Sequence, residues 1–224
     1  MTSAESWAVV CDFDGTATLE DTADALSIAY IGFERWKRAN DAFHAGESSF
    51  EQLLRDIFEP IAASPAEVRA FALSHVRFRA GFERLVRTCR ARRVPFLIAS
   101  GGLDIYIRPA LEKLPRELRD DLEVRANHAE YVPGGLSLSF PFAHAEGACG
   151  TCGSCKGAVV EELRRQGRRV VAVGDGNADR CMARVADVVF ARDRLLAWCE
   201  DSGYPCTPFE TLDPVAERIA RCGG

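Results

Sequence analysis

Asp12 and Asp14 stand two residues apart in the run Asp12-Phe13-Asp14-Gly15-Thr16, immediately after the Val-rich segment Trp7 to Cys11. In an extended turn alternate side chains face the same space, so both carboxylates are expected at one point. Two carboxylates together invite divided labour, one as nucleophile and the other moving a proton. A dianionic phosphate repels an approaching carboxylate, so phosphoryl transfer to Asp12 would require a hard cation and fixed positive groups to neutralise charge. Asp175, in Gly174-Asp175-Gly176, is the natural third oxygen ligand. Magnesium prefers octahedral oxygen and keeps waters, so Asp12, the backbone carbonyl of Asp14 and Asp175 would be a sufficient protein share of its shell. Lys156 would supply the fixed positive charge. The Ser100 hydroxyl and the Gly101 amide, read as opening a helix, are suited to hold phosphate oxygens. Asp14 could then protonate the leaving oxygen and later deprotonate the hydrolytic water.

These residues need elements to bring them together. Trp7 to Cys11 and Arg169 to Val173 read as short buried strands that end in the acidic turns. Val94 to Ala99 is a third apolar run, closed by Ser100-Gly101-Gly102 before a helix starting near Leu103. Phe82 to Arg92 and Lys156 to Gln166 have helical periodicity, and so do Leu195 to Asp201 and Asp213 to Cys222. Alternating residues around Pro133-Gly134-Gly135 predict an antiparallel hairpin between about 122 and 142, with Leu136, Leu138 and Phe140 on one face. Ala186 to Ala191 gives one more strand. From 21 to 79 the pattern is helical throughout, and Ser48-Ser49-Phe50-Glu51 and Ser64-Pro65-Ala66-Glu67 both resemble capping boxes. Strands alternating with helices predict an α/β fold with a parallel sheet, and in such sheets ligands bind beyond the strands' carboxyl ends.

Composition narrows the partners. The chain has 224 residues, 28 basic against 33 acidic, for a net charge of −5, which gives no basic stripe for a nucleic-acid backbone. Neither a signal peptide nor a membrane span is expected from its apolar runs, so the default compartment is the cytoplasm. The oligomeric state is left open. Nine cysteines without a secretory signal argue for reduced thiols rather than a disulfide framework.

In order and spacing, Asp12-Phe13-Asp14-Gly15-Thr16, Ser100, Lys156 and Gly174-Asp175-Gly176-Asn177-Ala178-Asp179 resemble the four motifs of the haloacid dehalogenase superfamily phosphatases. The resemblance spans nearly the whole chain. It implies a Rossmann-like core from 1–20 and 80–224, with a small helical cap, 21–79, inserted after the first strand. It also implies Asp12 as nucleophile, Asp14 as acid and base, and Thr16, Ser100, Gly101 and Lys156 around the phosphate. Mg2+ would sit on Asp12, Asp14 and Asp175, with Asp179 behind them. The dehalogenases lack a carboxylate at the position of Asp14, so dehalogenation is disfavoured. The segment Ser100-Gly101-Gly102-Leu103-Asp104 looks like phosphoserine phosphatase. Ala178, however, stands where those enzymes have Asn, and Asp21 replaces their substrate-binding Glu. The cysteine cluster ending in Cys155-Lys156 and the tail beyond Asp187 are more similar to the methionine-salvage phosphatases acting on 2-hydroxy-3-keto-5-methylthiopentenyl-1-phosphate. The partner so implied is a small phosphorylated metabolite. Phosphoserine or another small phosphomonoester, phosphotransfer to a second substrate, and a non-catalytic binding module on the same fold stay open alongside.

Other motifs compete less well. An EF-hand would need glycine at Ala17 and a bidentate acid at Ala23. Gly174-x-Gly176 lacks the third glycine of a dinucleotide fingerprint, and Gly157, not Ser or Thr, follows Lys156, so no Walker loop is present. Cys149-x-x-Cys152-x-x-Cys155 could hold a structural Zn2+ with His144 or His128 as fourth ligand, or could be a reduced or redox-sensitive loop. Arg35, Trp36 and Lys37 could touch substrate, but read more simply as an exposed amphipathic helix face.

Overall fold

The computed structural model describes residues 6–222 apart from 121, 145 and 151. Strand β1 (Ser6–Cys11) is buried from Trp7 onward, as an uninterrupted apolar run covered on both faces should be. It pairs in parallel with β2 (Phe96–Leu103) on one side and β5 (Arg168–Gly174) on the other. Beyond β2 lie the parallel β3 (Glu123–Val132) and the antiparallel β4 (Gly135–Ser139), the expected hairpin. Beyond β5 lie β6 (Val188–Ala191) and β7 (Thr207–Pro208), giving the order β4-β3-β2-β1-β5-β6-β7. The two-residue β7 is too short to leave a periodic signal, and its Pro208 fits only an edge.

Successive strand residues point to opposite faces, and the core divides accordingly. Val9, Cys11, Ile98, Val171 and Val173 share one cluster with residues of α5 (Phe82–Arg92), α6 (Asp104–Leu111) and α11 (Asp213–Ala220). Ala8, Val10, Leu97, Val170 and Ala172 turn the other way, onto Val159, Val160 and Leu163 of α8 (Lys156–Arg165). Each fully buried valine contributes about 1.5 kcal/mol or more, and shifting one strand by a residue would exchange the two faces. The short α7 (Arg116–Arg119) leads into β3, while α9 (Arg180–Ala183) and α10 (Asp193–Asp201) flank β6.

Between β1 and α5 the chain forms four helices, α1 (Thr22–Ile31), α2 (Phe33–His44), α3 (Phe50–Phe58) and α4 (Pro65–His75). Helix α4 has the full Ser64–Glu67 capping box with Pro at its start. Helix α3 does not use Ser48 and Glu51 as expected. It begins one residue later, so Ser49 is the cap and its hydroxyl accepts from the Gln52 amide at 3.1 Å. The C-terminal end of α3 is tied to the hairpin, where Leu136 N–H donates to Glu59 O at 3.0 Å and the Arg55 guanidinium lies 5.0 Å from the Phe140 ring centre.

The chain enters and leaves this segment side by side. Leu19 N–H donates to Arg77 O at 2.9 Å, Thr18 bridges Phe78, and Arg79 N–H donates to Ala17 O at 2.8 Å. The Arg79 guanidinium, 6% exposed, donates to the carbonyls of Gly15 (2.6 Å), Thr16 (2.8 Å), Thr18 (3.1 Å) and Glu210 (3.3 Å). A buried cation holding several carbonyls fixes the loop after β1 far more firmly than an apolar side chain could. No helix among the described residues is long and apolar enough to cross a membrane.

Candidate active site

Asp12 follows β1, and its amide donates to Val173 O of β5 at 2.9 Å, so it sits between two central strands at their carboxyl ends. There the chain makes one widened helical turn, Phe13–Ala17, interrupted by Asp14 and by Gly15 with φ +75°. Gly15 is required twice over: its φ is left-handed, and a Cβ there would lie 2.6 Å from Asp175 Oδ2.

The ammonium of Lys156, the first residue of α8, is 2% exposed and lies 2.7 Å from Asp12 Oδ1 and 2.5 Å from Asp179 Oδ1. Asp12 Oδ1 also accepts from the Phe13 amide at 2.6 Å, and among the described residues no hydrogen bond reaches Oδ2. Asp179 is fully buried, and its Oδ2 accepts from the amides of Asp175 and Gly176, both at 2.9 Å. The loop after β5 is thereby closed on its own carboxylate. Asp175 Oδ1 accepts from the Thr16 hydroxyl at 2.5 Å. That corrects the expectation for Thr16: its hydroxyl is buried against Asp175, which it orients, and is not presented to a phosphate.

Asp14 is held at both oxygens, Oδ1 by the Thr22 amide at 2.9 Å and Oδ2 by the Tyr106 hydroxyl at 2.6 Å. Ser100, 1% exposed, accepts from Gly102 N–H at 2.9 Å, which leaves its own O–H to donate elsewhere. The expectation that Ser100 and Gly101 open a helix is not met. Strand β2 continues to Leu103 with its register shifted between Ala99 and Leu103, so the Ser-Gly-Gly run is a bulge, and α6 starts only at Asp104. Its glycines let the backbone bend there without leaving the sheet. Asp21 is exposed and caps α1 by accepting from Asp24 N–H at 2.9 Å.

Asp12, Asp14, Asp175 and Asp179 face one ammonium, and the imbalance is visible in the proton affinities of the first three. Burial, then the charge of Asp179, pushes the Asp12 carboxyl well above its ordinary range, and the same causes bring Asp175 up to about 6. Burial also raises Asp14. Burial works against the charge of Lys156, but Asp12 and Asp179 outweigh it and hold the ammonium protonated. One oxygen each of Asp12, Asp175 and Asp179 lies within 4.8 Å of the others. Since Lys156 and two amides already occupy Asp179, the ligands left to a cation are Asp12 and Asp175. An all-oxygen set with surplus negative charge fits a hard divalent ion such as Mg2+.

Several contributors carry no sequence signal of their own. Tyr106 reads as an apolar residue on the inner face of α6, and a Cβ on Gly102 would run into its hydroxyl. Asn127 of β3, fully buried, donates to Gly101 O at 2.8 Å and steadies the bulge. Phe50 of α3 lies against it, its ring 3.2 Å from the position of a Gly101 Cβ. Neither histidine considered for the cysteine loop is in its cluster. His128 bonds to Asp104 at 2.7 Å and His144 lies 3.7 Å from Glu51, whereas Cys181 of α9 brings its sulfur to the group formed by Cys149, Cys152 and Cys155.

Residues 9–184 match the family described as haloacid dehalogenase-like hydrolase. The chain belongs to that family. This hydrolase is 32% identical over 213 residues to the 2-hydroxy-3-keto-5-methylthiopentenyl-1-phosphate phosphatase of Geobacillus kaustophilus, which covers 94% of each chain. It is 30% identical to the protein of the same name from Bacillus velezensis over 217 residues, 96% of this chain and 90% of that one. Among solved structures it shares its fold with a phosphoserine phosphatase captured as a phospho-aspartyl intermediate analogue, at a TM-score of 0.71 and 22% identity over 96% of this chain and 99% of the other.

Proposed function

We propose that this hydrolase is a phosphomonoesterase that works through an aspartyl-phosphate on Asp12, with Mg2+ held by Asp12, Asp175 and the Asp14 backbone. The observation that carries the reading is the arrangement around Asp12, whose Oδ1 is fixed by Lys156 and the Phe13 amide while Oδ2 takes no hydrogen bond from the described residues. Oδ2 attacks phosphorus, the bond from phosphorus to the ester oxygen breaks, and Asp14 gives that oxygen its proton. Water then attacks the phosphoryl group, Asp14 takes back a proton, and inorganic phosphate leaves with Asp12 restored. Lys156 and the Ser100 hydroxyl neutralise the equatorial oxygens. When bound, Mg2+ supplies the charge neutralisation that lets two anions meet. Burial, which raises the Asp14 carboxyl, suits a group that must carry a proton at neutral pH.

We take the substrate to be 2-hydroxy-3-keto-5-methylthiopentenyl-1-phosphate, the compound in the names of the relatives at 30% and 32% identity, and the compartment to be the cytoplasm. Residues 21–79 act as a cap over a core made of 1–20 and 80–224, and the contact of Phe50 with the Ser100-Gly101-Gly102 bulge supports that division. Zinc at the cysteine loop is a separate structural proposal and takes no part in these steps.

The test compares wild type with Asp12→Asn on an aryl phosphate, with magnesium present and after chelation. Turnover in the wild type that stops on chelation and returns with magnesium is expected, and none in the variant. An Asp12→Asn protein with wild-type turnover would refute the mechanism.

A further inference from the structure

Cys149, Cys152 and Cys155 lie close along the chain just before α8. Gly150 and Gly153 take φ of +74° and +53°, a conformation other residues adopt only at a cost. The effect is to gather three thiols at one point. The fourth comes from elsewhere: Cys181, 29 residues after Cys152, brings its sulfur to 3.9 Å from that of Cys152. All four sulfurs lie within 4.8 Å of one another, with no carboxylate or imidazole among them.

We propose that Cys149, Cys152, Cys155 and Cys181 form a structural zinc site. A tetrahedral ion with Zn–S bonds near 2.3 Å sets its sulfurs about 3.8 Å apart, close to the 3.9 Å between Cys152 and Cys181. The Cys149 and Cys152 sulfurs, now 2.8 Å apart, need open by only about 1 Å. All-thiolate tetrahedral ligation selects zinc or an iron–sulfur centre and excludes the hard ions suited to the carboxylates. A four-iron cube places iron and sulfide between its thiolates and holds them farther apart than one shared ion does, so this grouping favours a single metal. The Cys149 amide already donates to the Cys155 sulfur at 3.3 Å, the kind of hydrogen bond that steadies a ligating thiolate.

The position of the site gives it a purpose. Cys155 immediately precedes Lys156, and Cys181 comes two residues after Asp179, so the ion would fasten together the two segments whose side chains meet in the Lys156–Asp179 ion pair. Gly153 packs on Phe50, a Cβ there lying 2.6 Å from the ring, so the same fastening sets the wall against which α3 rests.

Protein purified under reducing conditions without added metal is assayed for zinc, iron and acid-labile sulfide. The zinc-free protein is then titrated with Co2+. About one zinc per chain is expected, with thiolate-to-cobalt charge-transfer bands on substitution, a signature the carboxylate site cannot produce. Cys181→Ser should hold less than about 0.2 zinc per chain and melt at least about 5 °C lower, while Cys206→Ser, outside the cluster, keeps its zinc. The proposal is overturned by reduced wild type that neither contains zinc nor develops those bands, by iron with labile sulfide, or by Cys181→Ser with undiminished zinc. A Cys149–Cys152 disulfide with no metal uptake after reduction would also overturn it. Should Cys181→Ser fail to fold, the cobalt spectrum of the wild type decides.

Discussion

Replacing Tyr106 with Phe removes one hydroxyl and little else. The ring keeps its contacts with Phe13 and Phe58, at centroid distances of 6.3 and 6.4 Å. What is lost is the 2.6 Å hydrogen bond to Asp14 Oδ2, leaving that carboxylate held from the Thr22 side at Oδ1. A hydrogen bond to a charged group is worth about 1.5–3 kcal/mol. If that energy holds Asp14 where it meets the leaving oxygen, its loss lowers the rate by about 10- to 150-fold. The same lost bond costs stability, roughly 3–12 °C in Tm for a chain of this size. Steady-state kinetics on two substrates separate positioning from general damage. A nitrophenolate departs without a proton, whereas an alkoxide needs one, so kcat on an alkyl phosphate should fall several-fold further than on nitrophenyl phosphate. Equal losses on both would mean that Tyr106 does not act through protonation of the leaving oxygen, and rates within twofold of wild type would refute its role altogether.

Gly102→Ala tests the same contact from the opposite side. Its methyl group would displace the Tyr106 hydroxyl from Asp14, so a loss of kcat at least as large as that of Tyr106→Phe is expected, and activity equal to wild type would show the bulge to be pliable. The hydrogen bond that the His128 ring donates to Asp104 raises the His128 pKa, so the stability it contributes is complete below the unfolded value near 6.5 and disappears as pH rises through the folded value. Asp104→Asn should therefore destabilise the protein more at about pH 5.5 than at about pH 8.5, by less than about 1 kcal/mol because His128 is half exposed, and a difference of opposite sign in thermal melts would refute the assignment.

The strands were legible because their chemistry is local. Runs such as Trp7 to Cys11 are apolar without interruption and end at the residues that matter, and the parallel order followed from alternation with helices. Lys156 and Asp175 were legible for the same reason, each marking the end of a periodic segment. What sequence could not reveal depends on distance along the chain. Tyr106 meets Asp14 across 92 positions and Arg79 grips Thr16 across 63, and each has the composition of an ordinary helix or boundary residue. The Ser-Gly-Gly bulge was misread because glycine after a strand marks either a turn or a bend within the sheet, and the pairing of Leu103 with Asn127 decides between them. Cys181 was missed because a single thiol on a four-residue helix has no spacing to read.

The pairing of Leu19 with Arg77, locked from beneath by Arg79, also has an engineering meaning. The chain departs and returns across a single gap of one hydrogen bond, 2.9 Å long, while the carboxylates and Lys156 are supplied from outside the excursion. A helical segment of other length or origin could be spliced between these two residues provided that its ends meet at that spacing. With 21–79 as the proposed cap, substrate range would then be exchangeable as a cassette, provided that the replacement keeps an amide where Thr22 N–H holds Asp14 Oδ1.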